Sequence, residues 1–392
     1  MGEWRFYAKR PAQDRWLDTN VQIDPVMTWS LNASFAGQAI IPNGIGPDKG
    51  PDKRDMWGRG DTLLLGEEDN QLAWAGICSM ATPGREGLYL EFTGAFGWMN
   101  NLPYLGEYEV NKADVFDVVR HLITAGNKLP RTLNVVADNT KSQFTAGGTK
   151  GDYPEAPVRH KGQTTKEYEE SGPYKAWLAQ IEKYEANLGV GPYTLAWWEA
   201  PYIGEEISTM ADEYGFDFRE RVKWKDRRDL DFEFRLDFAD DLTKRRTDIV
   251  FEEGVNLASR AQPKEDSEPY ATHVIGLGAG EGRDMVRAEH DVDDPRLYSA
   301  RYMNYKTVTN ADRLRSLTRN DARRFSGNGA SIESVQVWDT PGFAPIGSLK
   351  VGDECRVISH SSKPPYDIWH RVREITRTPS SAVVDLSLER RD

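Results

Sequence analysis

Asp229–Phe238 reads DLDFEFRLDF, and its alternation decides the class of fold. Leu230, Phe232, Phe234, Leu236 and Phe238 occupy every second position, with Asp229, Asp231, Glu233, Arg235 and Asp237 between them. A period of two over ten residues describes a strand with one buried face and one charged face in water. Phe218, Val222 and Trp224 lie on the run before it, and Lys225–Arg228 reads as the connecting turn. The two runs are expected to form a long antiparallel hairpin. No His or Cys joins the alternating acids, so they read as a charged surface and not as a metal or acid–base site.

Downstream, an apolar strand from Ala271 to Ile275 runs into Gly276, Gly278, Gly280 and Gly282. The dinucleotide fingerprint needs Gly-x-Gly-x-x-Gly opening a helix, yet the sixth position is Glu281 counting from Gly276 and Arg283 counting from Gly278. Neither register fits, and no Lys-Ser/Thr pair completes a P-loop. The glycines are assigned to a turn or bulge between strands, where positive φ or close packing excludes a side chain. Tyr298–Tyr305 is expected to be a further strand. Asn310 is a candidate cap for a helix with Leu314, Leu317 and Phe325 inward and Arg313, Arg315, Arg319, Arg323 and Arg324 outward. Those arginines are expected to pair with the acidic strand, within or between subunits.

The ends of the chain are also β. Residues 1–108 carry strand-like runs at Val26–Leu31, Gln38–Ile41, Thr62–Leu65, Leu72–Met80 and Gly87–Ala95, which suggests a small barrel or sandwich. A loop insertion at 43–60 holds GPDK twice in tandem and is expected to be flexible, with Trp57 at its tip. Residues 331–392 add strands at Ile332–Trp338, Glu354–Ile358, Trp369–Thr376 and Ala382–Glu389, a second small barrel. Between them, 109–215 reads as an α/β segment. Asn111 is its first candidate cap, Val115, Val118, Val119, Leu122 and Ile123 share one helix face, and a long polar loop spans 138–172. A helix from Pro173 and another over Gly204–Tyr214 follow. The domains expected are therefore 1–108, 109–215, 216–330 and 331–392, in an α+β, mostly β chain with two barrel-like ends.

Chemistry is hard to find. The chain has 392 residues, a net charge of −12 and two cysteines, Cys78 and Cys355. An acidic chain is a poor general ligand for nucleic acid. No window has the roughly 20 apolar residues of a membrane span. Six histidines show no metal-ligand spacing, and Gly-x-Ser-x-Gly does not occur. Catalytic, cofactor-binding and metal residues are each expected to be none. Glu205-Glu206 and Asp240-Asp241 are acid pairs by default only.

The order of several stretches resembles a known family. EWRFYAKR (3–10), LAWAGICSM (72–80), WWEAPYIGEEISTMADEYGFDFRE (197–220), IVFEEGVNLASR (249–260), HVIGLGAGEGRDMVRAEHDVDDPRLYSARY (273–302) and IGSLKVGDECRVIS (346–359) occur in the order seen in tail hub (Tal-like minor tail) proteins of siphoviruses that infect actinobacteria. These are similar in turn to the baseplate hub of contractile tails. The resemblance implies a homotrimeric ring at the distal tail tip that adapts a sixfold tube to a threefold tip. Its implied neighbours are the distal tail protein ring, the tape measure protein and other minor tail proteins. DNA would pass only in transit, and the host envelope would be met through neighbours. Such a protein would be made and assembled in the host bacterial cytoplasm and located in the virion. Under this reading Asp229, Asp231, Glu233 and Asp237 are candidates for an acidic lumen that lets DNA slide. The alternatives are a receptor- or carbohydrate-binding tail module using Trp57 or Trp197-Trp198, one ring of that pair being expected to pack inward, and a tail-associated cell-wall hydrolase.

Overall fold

Among the described residues, seven strands precede the first α-helix: β1 (Trp4–Arg10), β2 (Arg15–Asp18), β3 (Val26–Ser30), β4 (Ala36–Pro42), β5 (Leu63–Glu68), β6 (Gln71–Pro83) and β7 (Gly87–Thr93). After α1 (Ala95–Met99) come β8 (Glu107–Val110), β9 (Ala113–Asp114), α2 (Val115–Asn127), β10 (Val135–Ala137), β11 (Thr145–Ala146), β12 (Tyr193–Ala196) and α3 (Ile203–Tyr214). The hairpin is β13 (Asp217–Asp226) and β14 (Asp231–Ala239), followed by β15 (Lys244–Glu252), β16 (His273–Leu277), β17 (Arg287–Asp291), β18 (Ala300–Asn304) and α4 (Ala311–Phe325). The chain closes with β19 (Ser334–Trp338), β20 (Asp353–Ser359), β21 (Tyr366–Arg377) and β22 (Val383–Arg391). The computed structural model describes residues 2–44, 49–147, 157, 168, 171–177, 192–261, 270–280, 282, 285–293, 297–305, 308, 311–325, 332–339, 346–361 and 365–391, with the backbone alone at 312, 313, 316, 320, 323 and 324.

The chain is mostly β, as its periodicities indicate, but its two ends are not two closed barrels. They share one twelve-stranded sheet, in the order β2-β1-β5-β6-β7-β4-β3-β21-β20-β15, with β22 on β21 and β19 on β22. The seam is β3 against β21, where Trp29 faces Ile375 and Thr28 faces Thr376. Two side-chain bonds back it, Thr28 Oγ1 to Thr376 Oγ1 at 3.0 Å and Ser30 Oγ to Glu374 Oε1 at 3.0 Å. Long β21 makes this possible: its first half pairs β20, its second half pairs β3, and β22 runs along it. Strand β15, absent from the sequence reading, pairs β20 in parallel. Pairings between residues over 300 positions apart leave no local sequence signal.

Burial divides the chain differently from the expected domains. One core runs from Phe6 to Phe238 and takes in the first seven strands, α2, α3 and the inner face of the hairpin. A second joins Leu31 and Ile249 to the C-terminal strands. Two small clusters lie between α4 and the sheet β17-β16-β18. The hairpin therefore belongs with the N-terminal core, not with the glycine run, because Phe218, Phe234, Leu236 and Phe238 bury against it. Helix α2 starts later than expected. The carboxylate of Asp114, not Asn111, accepts from the Phe116 N–H, since β8 and β9 occupy the residues before it.

The 43–60 insertion is anchored where it is described. The Arg10 side chain is fully buried and binds the carboxylates of Asp52 and Asp61 and the Asp55 carbonyl, the last at 2.7 Å. Met56 and Trp57 bury behind it, Trp57 meeting Phe92 edge-on at 6.0 Å. The expected flexible loop is thus a pinned one, and Trp57 is a core residue. Most of the 138–172 loop lies outside the described residues, as does Asn310; residues 172–177 are helical.

Gly276 and Gly278 are closely packed. A Cβ on Gly276 would lie 2.1 Å from Thr318 Oγ1 on α4, and one on Gly278 would lie 2.5 Å from the Val308 carbonyl oxygen. Gly280 and Gly282 have φ of 113° and 60°, and the Gly278 N–H donates to Val286 O at 2.7 Å across the turn. Gly278→Val is expected to cost about 1–3 kcal/mol, as overpacking does, because the obstructing atom is backbone. Urea unfolding checks this against Gly347→Ala, where nothing lies within 4 Å and the change is expected to be neutral. Equal midpoints would remove the packing role.

Candidate functional site

Strand β13 is bonded to β5, to the β3–β4 connection, to the start of α1 and to β21. Contacts along it tie it down at three points. Near the hairpin tip, buried Glu67 on β5 accepts from Trp224 Nε1 at 2.7 Å and from Arg227 at 2.8 and 2.9 Å, with the Tyr7 hydroxyl at 3.1 Å. At mid-strand, Glu220 is fully enclosed. It accepts from the Phe35 N–H at 3.0 Å, Ser34 Oγ at 2.9 Å, and the Ala95 and Phe96 N–H groups at 2.5 and 3.3 Å. Burial raises its pKa to about 7 against the opposing pull of those donors. At the base, Asp217 accepts from Asn32 Nδ2, the Leu242 N–H and Arg371 of β21.

The outer face of the hairpin is a charge ladder. Its acids are matched across the strands: Arg221 reaches Asp237 at 2.9 Å, Lys223 reaches Glu233 at 3.0 Å and Lys225 reaches Asp231 at 3.0 Å. Asp237 is buried, not solvated, and Asp229 lies in the turn before β14. Three acids on this face thus oppose Arg219, Arg221, Lys223, Lys225 and Arg235, so the four-acid row is not an acidic strip. The signal was legible: Arg219, Arg221, Lys223 and Lys225 alternate just as regularly one strand earlier. The arginine helix packs on β16 and β17, and the partners of the hairpin acids among the described residues are cations of the hairpin itself.

Beside β13 lies a cleft of about 500 Å³. Residues 219–224 form one wall, the start of β6 with Trp29 and Phe35 a second, and 346–351 with Ile375 and Arg377 the rest. Arg377 is neutralised by Glu68 at 2.6 Å and Asp339 at 3.0 Å. Lys350 is exposed, and no acid stands within salt-bridge distance of it among the described residues. Partial desolvation, then Arg219 and Arg221, lower its pKa.

The remaining candidates sit apart. Glu206 is half-buried and accepts from the Tyr193 hydroxyl at 2.5 Å, and desolvation raises its pKa; Glu205 lies one residue before it in the first turn of α3. Asp240 is bonded by Ser142 Oγ and the Gln143 N–H, and Asp241 by the Thr243 N–H. Trp197 and Trp198 are both exposed, contrary to the expectation that one packs inward, and meet edge-on at 5.7 Å. Leu105 and Tyr202 extend the exposed apolar surface there. Among the described residues no three His, Cys, Asp or Glu side chains group as metal ligands, and no helix is long and apolar enough to cross a membrane. Cys78 and Cys355 are buried free thiols, burial pushing the first up to about 11.

No protein-family model matches the chain, and no curated protein matches it in sequence. Solved structures match along nearly its full length. They include the 43 kDa tail protein of prophage MuSo2 from Shewanella oneidensis, with a TM-score of 0.56 and 11% identity over 99% of this chain and 98% of that one. Prophage tail protein gp18 from Listeria monocytogenes EGD-e gives 0.53 and 7% over 99% and 95%. A tail protein from Neisseria meningitidis MC58 gives 0.51 and 13% over 99% and 97%. The chain has the fold of phage tail proteins.

Proposed function

We propose that the chain is a structural subunit of a phage tail: three copies form the hub at the distal end of a long non-contractile tail, join the sixfold tube to a threefold tip, and line the DNA exit channel. The observation that carries this is the tail-protein fold extending over 99% of the chain. The collinear stretches noted in the sequence favour the hub among tail components. The sheet that fuses the two ends suits such a role, since one rigid body then presents both at a ring. The channel lining we propose is not the β14 acid row, whose charges the β13 cations match.

A second reading, a receptor- or carbohydrate-binding tip module, has the exposed Trp197-Trp198 pair in its favour. One experiment separates them: images of tail tips carrying a tagged copy, together with cell-wall pull-down of the purified chain. The hub reading expects three copies at the tip, a mass of three times 44.4 kDa, and no pull-down. Six copies, a position along the tube, or pull-down lost in Trp198→Ala would overturn it.

A further inference from the structure

Strand β13 ends its sheet. The order is β10-β14-β13, so one long side of β13 pairs with β14 and the other pairs with no strand among the described residues. Phe218 shows which backbone groups face outward: its N–H donates to Asn32 Oδ1 at 2.8 Å, and its carbonyl accepts from the Asn32 N–H at 2.9 Å. In an antiparallel pair, residues pointing away from the partner strand alternate. Glu220 and Val222 therefore present their N–H and C=O groups in the same direction as Phe218, beyond the Asn32 cover. That direction is the cleft, whose wall is residues 219–224. A strand edge open to a cleft is a template for another strand.

The charge around this edge selects what enters. Arg219, Arg221, Lys223 and Lys350 line the cleft; Asp237 pairs with Arg221 and Glu233 with Lys223. The Arg219 Nε is buried and has no hydrogen-bond acceptor, with Asp237 at 3.7 Å. Trp29, Phe35 and Leu349 give the same space an apolar side. An incoming strand of period two would meet both, placing acids toward the cations and apolar side chains toward the aromatic wall.

We propose that the β13 edge and its cleft bind an extended acidic segment of a partner polypeptide, which adds to the sheet as a fourth strand. Main-chain pairing with β13 supplies the hold, and the cation rim supplies the preference for acids. The inference stands apart from the hub reading, because it concerns one subunit and not its copy number.

The test uses the full chain and a fluorescein-labelled octapeptide alternating Val and Glu, read by anisotropy. The acidic peptide is expected to bind, and its Val–Lys counterpart is not. Lys350→Glu, an exposed change that should leave folding intact by circular dichroism, is expected to weaken binding on the order of tenfold. Two further peptides carry backbone N-methyl groups, one on the Val positions and the other on the Glu positions. Strand addition expects only one of the two to lose binding, since only one set of N–H groups faces β13. Equal binding by both, loss by both, indifference to Lys350→Glu, or no binding of the acidic peptide would overturn the proposal. Full displacement of the peptide by duplex DNA would also overturn it, reassigning the cations to phosphate. Any of these results would leave the tail-tip copy number untouched.

Discussion

Replacing Arg10 with methionine is expected to lower the stability of the chain by about 3 kcal/mol. The guanidinium has no exposed surface and is bonded by Asp52, Asp61 and the Asp55 carbonyl. Its hydrogen bond is the largest cause holding the Asp52 carboxyl well below the usual carboxylate range. Methionine fills much of the space but leaves that carboxylate, which is only 9% exposed as a side chain, without its main counter-ion. Breaking a buried pair from one side costs about 3–5 kcal/mol, whereas an exposed pair is worth at most about 1. The lower end of the range applies because Arg54 stays bonded to Asp52 at 3.0 Å and near Asp61 at 3.4 Å. The measurement is urea unfolding together with limited proteolysis at Lys49–Arg59. A lowered midpoint with earlier cleavage there is the expected result; an unchanged midpoint and pattern would show that Met56 and Trp57 hold the insertion by themselves.

The same arginine shows where sequence reasoning ran out. EWRFYAKR carries Trp4, Phe6 and Ala8 at alternate positions, a strand pattern, yet nothing in it marks Arg10 as buried. The partners that make burial tolerable lie over 40 residues on, in a stretch whose Gly, Pro and Asp content reads as a loop. The hairpin was legible to within two residues because its period is local and its core-facing side chains are large. The glycine run was legible as a close-packed turn, although which helix approaches it was not. The β3–β21 seam, β15 and the cleft were invisible, because each depends on which distant strand lies alongside. The acidic-row reading failed for a different reason: β14 was read without its partner, and the charge of a sheet face belongs to the pair of strands.

Glu220→Gln is expected to change how stability depends on pH, with an effect of similar size. The Glu220 carboxyl is buried completely, and its pKa in the folded chain is raised to about 7. The unfolded value is about 4.3. A group whose pKa rises on folding favours the folded state while protonated. Its contribution is full below about pH 4.3 and is lost as pH rises through about 7. The loss comes to roughly 4 kcal/mol, at about 1.36 kcal/mol for each pKa unit. This runs opposite to acid denaturation, in which carboxylates such as Asp248 and Glu253, each held to about 2, lose their stabilisation below about pH 4. The two effects therefore occupy separate windows. Glutamine keeps one acceptor for the Ala95 and Phe96 N–H groups but turns its amide toward the Phe35 N–H, a donor facing a donor. That mismatch costs about 1–3 kcal/mol at every pH. The variant should thus be less stable than the parent at pH 5, while near pH 8 the difference narrows or reverses, since the parent alone must ionise a buried group. Unfolding free energies at pH 5, 6, 7 and 8 for both chains give the comparison. Parallel curves would show that Glu220 does not titrate in this window, and that its four donors hold it ionised throughout.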